Sequence, residues 1–250
     1  MSGRPVTIKI GGVAGQHADS LAWLARHAPP ETVLVHGGGN EVAEWSRRLG
    51  LEPRTHEGLR VTDPDTLEVV VAVLAGLVNT RLVAALEADG RSAVGLTGAD
   101  GALIQLRRRD PELGEVGEVV GADASLLEAL VAAGRLPVVA SIGFHEGALL
   151  NVNADEVAGA VAASRGGLLL LCTDVPGVQR DGRVLERLDA TGAEAMLADG
   201  TASAGMRPKL RAALVAAAAG CEVRIVDGRS PSELERALKG GSAGTMVTAA

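Results

Sequence analysis

Short runs of β-branched residues and leucine alternate along the chain with longer stretches whose apolar positions recur every three or four residues. The short runs predict strands at residues 6–10, 32–35, 93–96, 137–140, 168–172 and 222–226. The longer stretches predict helices at 17–27, 40–49, 66–88, 124–133, 155–164, 204–219 and 232–238, with Val42, Trp45 and Leu49 on one face of the second. Within the strands the apolar residues are continuous, which suits a sheet covered on both faces. The alternation predicts an α/β fold, a three-layer αβα sandwich around a central, mostly parallel open sheet. Two stretches break the rhythm and read as hairpins: 103–120, with Pro111 between β-type runs, and 178–188, with Asp181-Gly182 between strand-like pieces. Thr62-Asp63-Pro64-Asp65 supplies a cap and a helix-compatible proline ahead of the long third helix.

Composition narrows this picture. At 250 residues the chain can bury a large core, and with no tyrosine and one phenylalanine that core is built from Val, Leu, Ile and Ala. A net charge of -7 argues against general nucleic-acid binding. Arg107-Arg108-Arg109 is a local basic run, read as part of a solvated hairpin. Cys172 and Cys221 lie in apolar runs and read as small buried hydrophobes, which fits a reducing cytoplasm. No secretory signal precedes the first strand, and no stretch reads as a membrane span; residues 69–77 read as part of a buried helix.

The candidate chemistry lies at glycine turns. His36-Gly37-Gly38-Gly39-Asn40 joins a strand to a helix, where backbone N–H groups and a helix N-terminus can cradle an anion. Neither a Gly-x-x-x-x-Gly-Lys-[Ser/Thr] segment nor a Gly-x-Gly-x-x-Gly turn after the first strand is present, so the P-loop and dinucleotide readings lose their support. Lys9 sits inside an apolar strand that ends in Gly11-Gly12, and its ammonium is expected at the ligand-binding edge of the sheet. Lys209 opens a long Ala-rich helix. Asn151-Val152-Asn153-Ala154-Asp155 clusters three short polar side chains where a strand yields to a helix; one or two could be caps, and three suit ligand contacts. Arg60, ahead of a helix start, suits a carboxylate clamp. His17, His27, His56 and His145 have no metal-ligand spacing and read as surface residues, and Ser141 lacks a nucleophile elbow.

In order and context, these segments resemble the amino acid kinase family and, within it, the N-acetylglutamate kinases. Lys9-Ile10-Gly11-Gly12, His36-Gly37-Gly38-Gly39, Gly58-Leu59-Arg60-Val61-Thr62-Asp63, Asn151-Val152-Asn153-Ala154-Asp155, Thr173-Asp174-Val175-Pro176-Gly177-Val178 and Gly205-Met206-Arg207-Pro208-Lys209 carry the resemblance nearly end to end. It implies the amino acid kinase fold and transfer of the ATP γ-phosphoryl to the side-chain carboxylate of N-acetyl-L-glutamate, with Mg²⁺ carried on the phosphates. Lys9 and Lys209 would stabilise the moving phosphoryl, with Asp155 orienting both. Gly11, Gly12, Gly38 and Gly39 would donate backbone N–H groups. Arg60, Asn151 and Asn153 would hold the amino-acid substrate, and Thr173, Asp174 and Met206 would surround the nucleotide. Residues 1–165 would form the lobe for the amino acid and dimerisation, and 166–250 the nucleotide lobe. The sequence departs from the usual pattern at Gly12-Val13-Ala14-Gly15, and at Ala204, which stands for a glycine. Gly76-Leu77-Val78-Asn79 and 95–101 are more similar to the related kinases of lysine biosynthesis, which act on aminoadipate linked to a small acidic carrier protein. A carrier-linked substrate is therefore the alternative, and a non-catalytic nucleotide- or amino-acid-binding regulator a further one. The first strand begins almost at Met1, without the extra helix of arginine-inhibited enzymes, so a homodimer without arginine feedback is expected.

Overall fold

The computed structural model describes residues 3–11, 18–56 and 58–249. In the first half the elements run β1 (Val6–Ile10), α1 (Ala18–His27), β2 (Thr32–His36), α2 (Gly39–Arg48), β3 (Thr55–His56), β4 (Leu59–Arg60), α3 (Pro64–Val71), α4 (Asn79–Ala88), β5 (Ala93–Thr97), β6 (Ile104–Arg108), β7 (Val116–Ala122) and α5 (Ser125–Ala132). They continue with β8 (Leu136–Ala140), β9 (Ile142–His145), β10 (Ala148–Val152), α6 (Ala154–Arg165), β11 (Leu168–Thr173), β12 (Gln179–Arg180), β13 (Arg183–Val184), β14 (Arg187–Asp189), α7 (Ala190–Ala198), α8 (Met206–Ala218), β15 (Glu222–Asp227), α9 (Pro231–Leu238) and β16 (Thr245–Thr248).

Eight strands form the central sheet in the order β14-β16-β15-β11-β1-β2-β8-β5, parallel except where β16 runs against β15. It crosses the division expected near residue 165 without a break, because β1 pairs with β11 in parallel register. Alternation along the strands sorts side chains to two helical layers. Ile8, Ile10 and Leu34 join α1, α4 and α9 on one face; Val33 and Val35 join α5, α6 and α8 on the other. Lys9 therefore projects toward the α6/α8 face and His36 toward the α1/α4 face. A second, four-stranded sheet of order β6-β7-β10-β9 packs against α6 and carries Asn151 near the end of β10.

The six predicted strands and the two expected hairpins are present. Asp63 caps α3 by accepting from Thr66 N at 2.9 Å, with Pro64 in the first turn. The expected single helix at 66–88 is interrupted: residues Ala72–Val78 adopt a π-helical turn pattern between α3 and α4. Its burial is also less than expected, since the most apolar stretch of Pro64–Ala88 is only 39% buried. Leu49 does not join Val42 and Trp45 in the core. Helix α2 stops at Arg48, so Leu49 falls in the C-cap and is 62% exposed. Helix α7 and the short strands β14 and β16 have no counterpart in the sequence expectations. All three arginines of the basic run are paired at 2.8 Å: Arg107 with Glu118, Arg108 with Glu115 and Arg109 with Glu156. Cys172 and Cys221 are buried free thiols.

Candidate active site

Lys9 is the fourth residue of a strand buried along its whole length. Its ammonium lies 3.0 Å from Asp155 Oδ1, and Lys209 Nζ lies 3.3 Å from Asp155 Oδ2. Three elements thus deliver the cluster: strand β1, the first turn of α6 and the first turn of α8. Burial alone would push the Asp155 carboxyl up; Lys9 and then Lys209 outweigh it and hold it below the ordinary carboxylate range. Lys209 is shifted down by burial and by the like charge of Lys9, against the pull of Asp155. One carboxylate therefore serves two ammonium groups, leaving a net positive site at the edge of the sheet. A Cβ at Gly11 would meet Lys9 Nζ at 2.6 Å, so a larger residue here would displace the ammonium from its place beside Asp155.

The cluster is the wall between two clefts. The larger, of about 260 Å³, is lined on one side by Gly38, Gly39 and Arg60 and on the other by Asn151, Asn153 and Asp155, with Val70 and Leu74 at its apolar end. The second, of about 170 Å³, is lined by Gly11, Asn40, Cys172, Thr173, Asp174 and Lys209. Lys9 borders both. A third cleft of about 170 Å³ runs from Val175 and Gln179 to Ser203 and Met206. Gly12 and His17 lie outside the described residues.

Arg60 donates through Nη2 to the Gly39 carbonyl at 2.8 Å, while its buried Nη1 has no protein partner. Burial, helped by Arg47, lowers the pKa of its guanidinium. A buried donor without an acceptor in a cleft is a place for a ligand oxygen. Asn151 Nδ2 donates to Thr62 Oγ1 at 2.9 Å, tying β10 to the loop that follows Arg60. Asn153 works locally: its Oδ1 accepts from Asp155 N and Glu156 N at 2.9 and 3.2 Å and caps α6. It is thus one of the caps that the sequence allowed for in this segment, and it also borders the cleft.

Residues 8–227 match the amino acid kinase family. The chain belongs to that family. An acetylglutamate kinase of Dehalococcoides mccartyi is 44% identical over 255 residues, 97% of this chain and 94% of its own. One of Methanopyrus kandleri is 44% identical over 253 residues, 96% and 98% of the two chains. Among solved structures, a Streptococcus mutans protein superposes with a TM-score of 0.83 at 30% identity, covering 97% of this chain and 98% of its own. An N-acetylglutamate synthase of Neisseria gonorrhoeae, complexed with coenzyme A and N-acetyl-glutamate, gives 0.82 at 25% identity, covering 99% of this chain and 60% of its own.

Several residues of this amino acid kinase escaped the sequence reading. Asn40 borders the cleft of Lys209, Ser141 borders that of Arg60, and Gln179, Thr201 and Ser203 border that of Met206. Asn40 follows the glycine run directly, and that adjacency was the available signal. Cys172 is no nucleophile, since burial raises its thiol pKa to about 12. Asn79 and Gly95, which resemble the carrier-linked enzymes, line none of these three clefts: Asn79 is buried, and a Cβ on Gly95 would meet Asn79 Oδ1 at 2.0 Å.

Proposed function

We propose that this chain transfers the γ-phosphoryl of ATP to the side-chain carboxylate of N-acetyl-L-glutamate, forming N-acetyl-L-glutamyl 5-phosphate for arginine biosynthesis. The observation that carries this reading is the Lys9–Asp155–Lys209 cluster standing between two clefts. The full-length similarity to acetylglutamate kinases supports the choice of substrate.

In this reading the amino acid occupies the cleft of Arg60, whose free Nη1 takes its α-carboxylate. Asn151 and Asn153 border its acylamino end. The nucleotide phosphates lie in the cleft of Lys209, Thr173 and Asp174, with the nucleoside toward Met206. A carboxylate oxygen of the substrate attacks the γ-phosphorus, a C–O–P linkage forms, the bond to the β-γ bridging oxygen breaks, and ADP leaves with that electron pair. No general base is needed, because the attacking carboxylate is already ionised. Lys9 and Lys209 neutralise the charge on the transferring group, Asp155 fixes both ammonium groups, and the N–H groups of Gly11, Gly38 and Gly39 complete the cradle. Among the described residues no cluster of three or more His, Cys, Asp or Glu side chains could hold a metal, and Asp155 is committed to the lysines. A Mg²⁺ would be brought on the phosphates, where Asp174, which lines the same cleft as Lys209, could help to hold it; when bound it would supply further charge neutralisation.

Residues 1–165 form the lobe for the amino acid, and 166–250 that for the nucleotide. Two copies associate through the under-buried face of Pro64–Ala88, where Ala72, Gly76 and Ala84 are exposed, beside the edge strand β5. Light scattering should give twice the 25.4 kDa chain mass; the monomer mass would remove this interface.

Arg60→Ala should raise KM for N-acetylglutamate about 10- to 100-fold, the worth of a hydrogen bond to a charged group, with KM for ATP unchanged. Steady-state kinetics on N-acetylglutamate, glutamate and carrier-bound aminoadipate test the substrate itself. A preference above about tenfold for the carrier-bound substrate, or 1.4 kcal/mol, would replace this reading.

A further inference from the structure

His36 ends β2 on the face of the sheet opposite Lys9, and Asn79 opens α4 beneath it; both are buried. Asn79 Nδ2 donates to the Val138 carbonyl at 2.8 Å and approaches that of Leu96 at 3.4 Å. Carbonyls only accept, so those partners fix which amide atom is nitrogen. The same nitrogen lies 2.9 Å from His36 Nε2. An amide NH₂ has no lone pair to offer, so Nε2 is the accepting, unprotonated ring atom, and the proton of the neutral imidazole sits on Nδ1. Nδ1–H then donates to the Gly37 carbonyl at 2.9 Å.

In a trans peptide the carbonyl and the following N–H point in opposite directions. Holding the Gly37 carbonyl toward His36, on the α4 side, turns the Gly38 N–H toward the α6 side, where Lys9 and Asp155 stand and where Gly38 borders the cleft. We propose that Asn79 is a positioning residue: it keeps His36 in the Nδ1–H form, the imidazole locks the Gly37–Gly38 peptide, and the Gly38 N–H is thereby aimed at the transferring phosphoryl group. The last link rests on the phosphotransfer reading of the site. The charged groups that act on the ring are Glu41 from α2 and, through the sheet from its other face, Lys9 from β1; Asn79, Val138 and Leu96, from α4, β8 and β5, carry none. Burial lowers His36 to about 4, against the Gly37 hydrogen bond and Glu41, with Lys9 adding to the lowering. Near neutral pH the ring is therefore uncharged, and the position of its one proton is what matters.

The test compares two replacements. Asn79→Leu frees the ring to take either proton position; kcat should fall about tenfold, less than the roughly 10²–10³-fold of a donor removed outright because the Gly38 N–H is loosened and not lost, with both KM values little changed and no pH dependence of the variant-to-wild-type ratio. Asn79→Asp places a carboxylate against Nε2 and draws the single proton there, so Nδ1 faces the Gly37 carbonyl bare. Acid restores Nδ1–H by making imidazolium. The ratio for Asn79→Asp should therefore rise about tenfold as pH falls from roughly 8.5 to 6, the span over which a histidine beside a carboxylate charges. A role confined to packing would give no such recovery. Nitrogen-15 NMR of the ligand-free protein reads the tautomer independently of any substrate: Nδ1–H in wild type, Nε2–H in Asn79→Asp. Gly95→Ala offers a second route, pushing Asn79 aside without removing it, and should lose kcat like Asn79→Leu. An Nε2–H wild-type ring, or equal and pH-flat losses for Leu and Asp, would overturn the proposal. A wild type inert toward ATP and every acyl amino acid would break only its last link, and NMR would still decide the tautomer.

Discussion

Lys209→Ala is expected to lower kcat by about 10²–10³-fold, the usual loss when one preorganised donor to a developing charge is removed. KM for N-acetylglutamate should stay within about threefold, because an interaction that strengthens in the transition state is lost mainly from kcat. Lys209 reaches the cluster from the first turn of α8, borders the cleft of Thr173 and Asp174, and does not border that of Arg60. Its removal leaves the buried Lys9–Asp155 pair intact, so the fold should survive and the loss can be read as chemistry. An unchanged kcat in a folded variant would refute the assigned role.

Asp155→Asn should be the most damaging single change to stability. It leaves two buried ammonium groups without their carboxylate, and breaking a buried charge pair costs about 3–5 kcal/mol. At 2–4 °C per kcal/mol for a chain of this size, Tm should fall on the order of 10 °C. The pH dependence has a definite sign. In wild type the Asp155 pKa is depressed on folding, so its contribution is present above the unfolded carboxylate value near 4 and is lost as pH falls through the folded one. In the variant, Lys209, already shifted down by burial and by Lys9, loses the carboxylate that opposes that shift. Between its folded pKa and the unfolded value near 10 the unfolded chain binds more protons, so stability should rise with pH. Adding Lys209→Ala to Asp155→Asn should restore part of the loss, since it removes one of the two like charges. Additive losses in thermal melts of the single and double variants would show that the three groups are not one electrostatic unit.

The strands were legible because a parallel sheet buried on both faces writes itself as unbroken apolar runs, and Lys9 stood out against such a run. Arg60 and Asp155 were legible through their motifs. What could not be read was pairing between distant side chains. Nothing local in the sequence joins His36 to Asn79, 43 residues apart, and only the folded sheet lets one amide reach a histidine and two strand carbonyls. Asn153 was ambiguous for a physical reason: an amide at a helix start serves equally as a cap or a ligand contact. Leu49 matched its helical stripe but lay one residue beyond the last turn, where periodicity no longer determines burial. Strands β14 and β16, of three and four residues, are too short for periodicity to register.

The most direct test of phosphoryl transfer to a carboxylate is to trap the product. An acyl phosphate reacts with hydroxylamine to give a hydroxamate that colours with ferric iron, so purified protein with ATP, Mg²⁺ and hydroxylamine reports the chemistry itself. The predicted result is a hydroxamate that depends on both ATP and N-acetylglutamate, is absent with glutamate, and is nearly abolished by Lys209→Ala. Its absence with N-acetylglutamate, or its formation only with carrier-bound aminoadipate, would contradict the account.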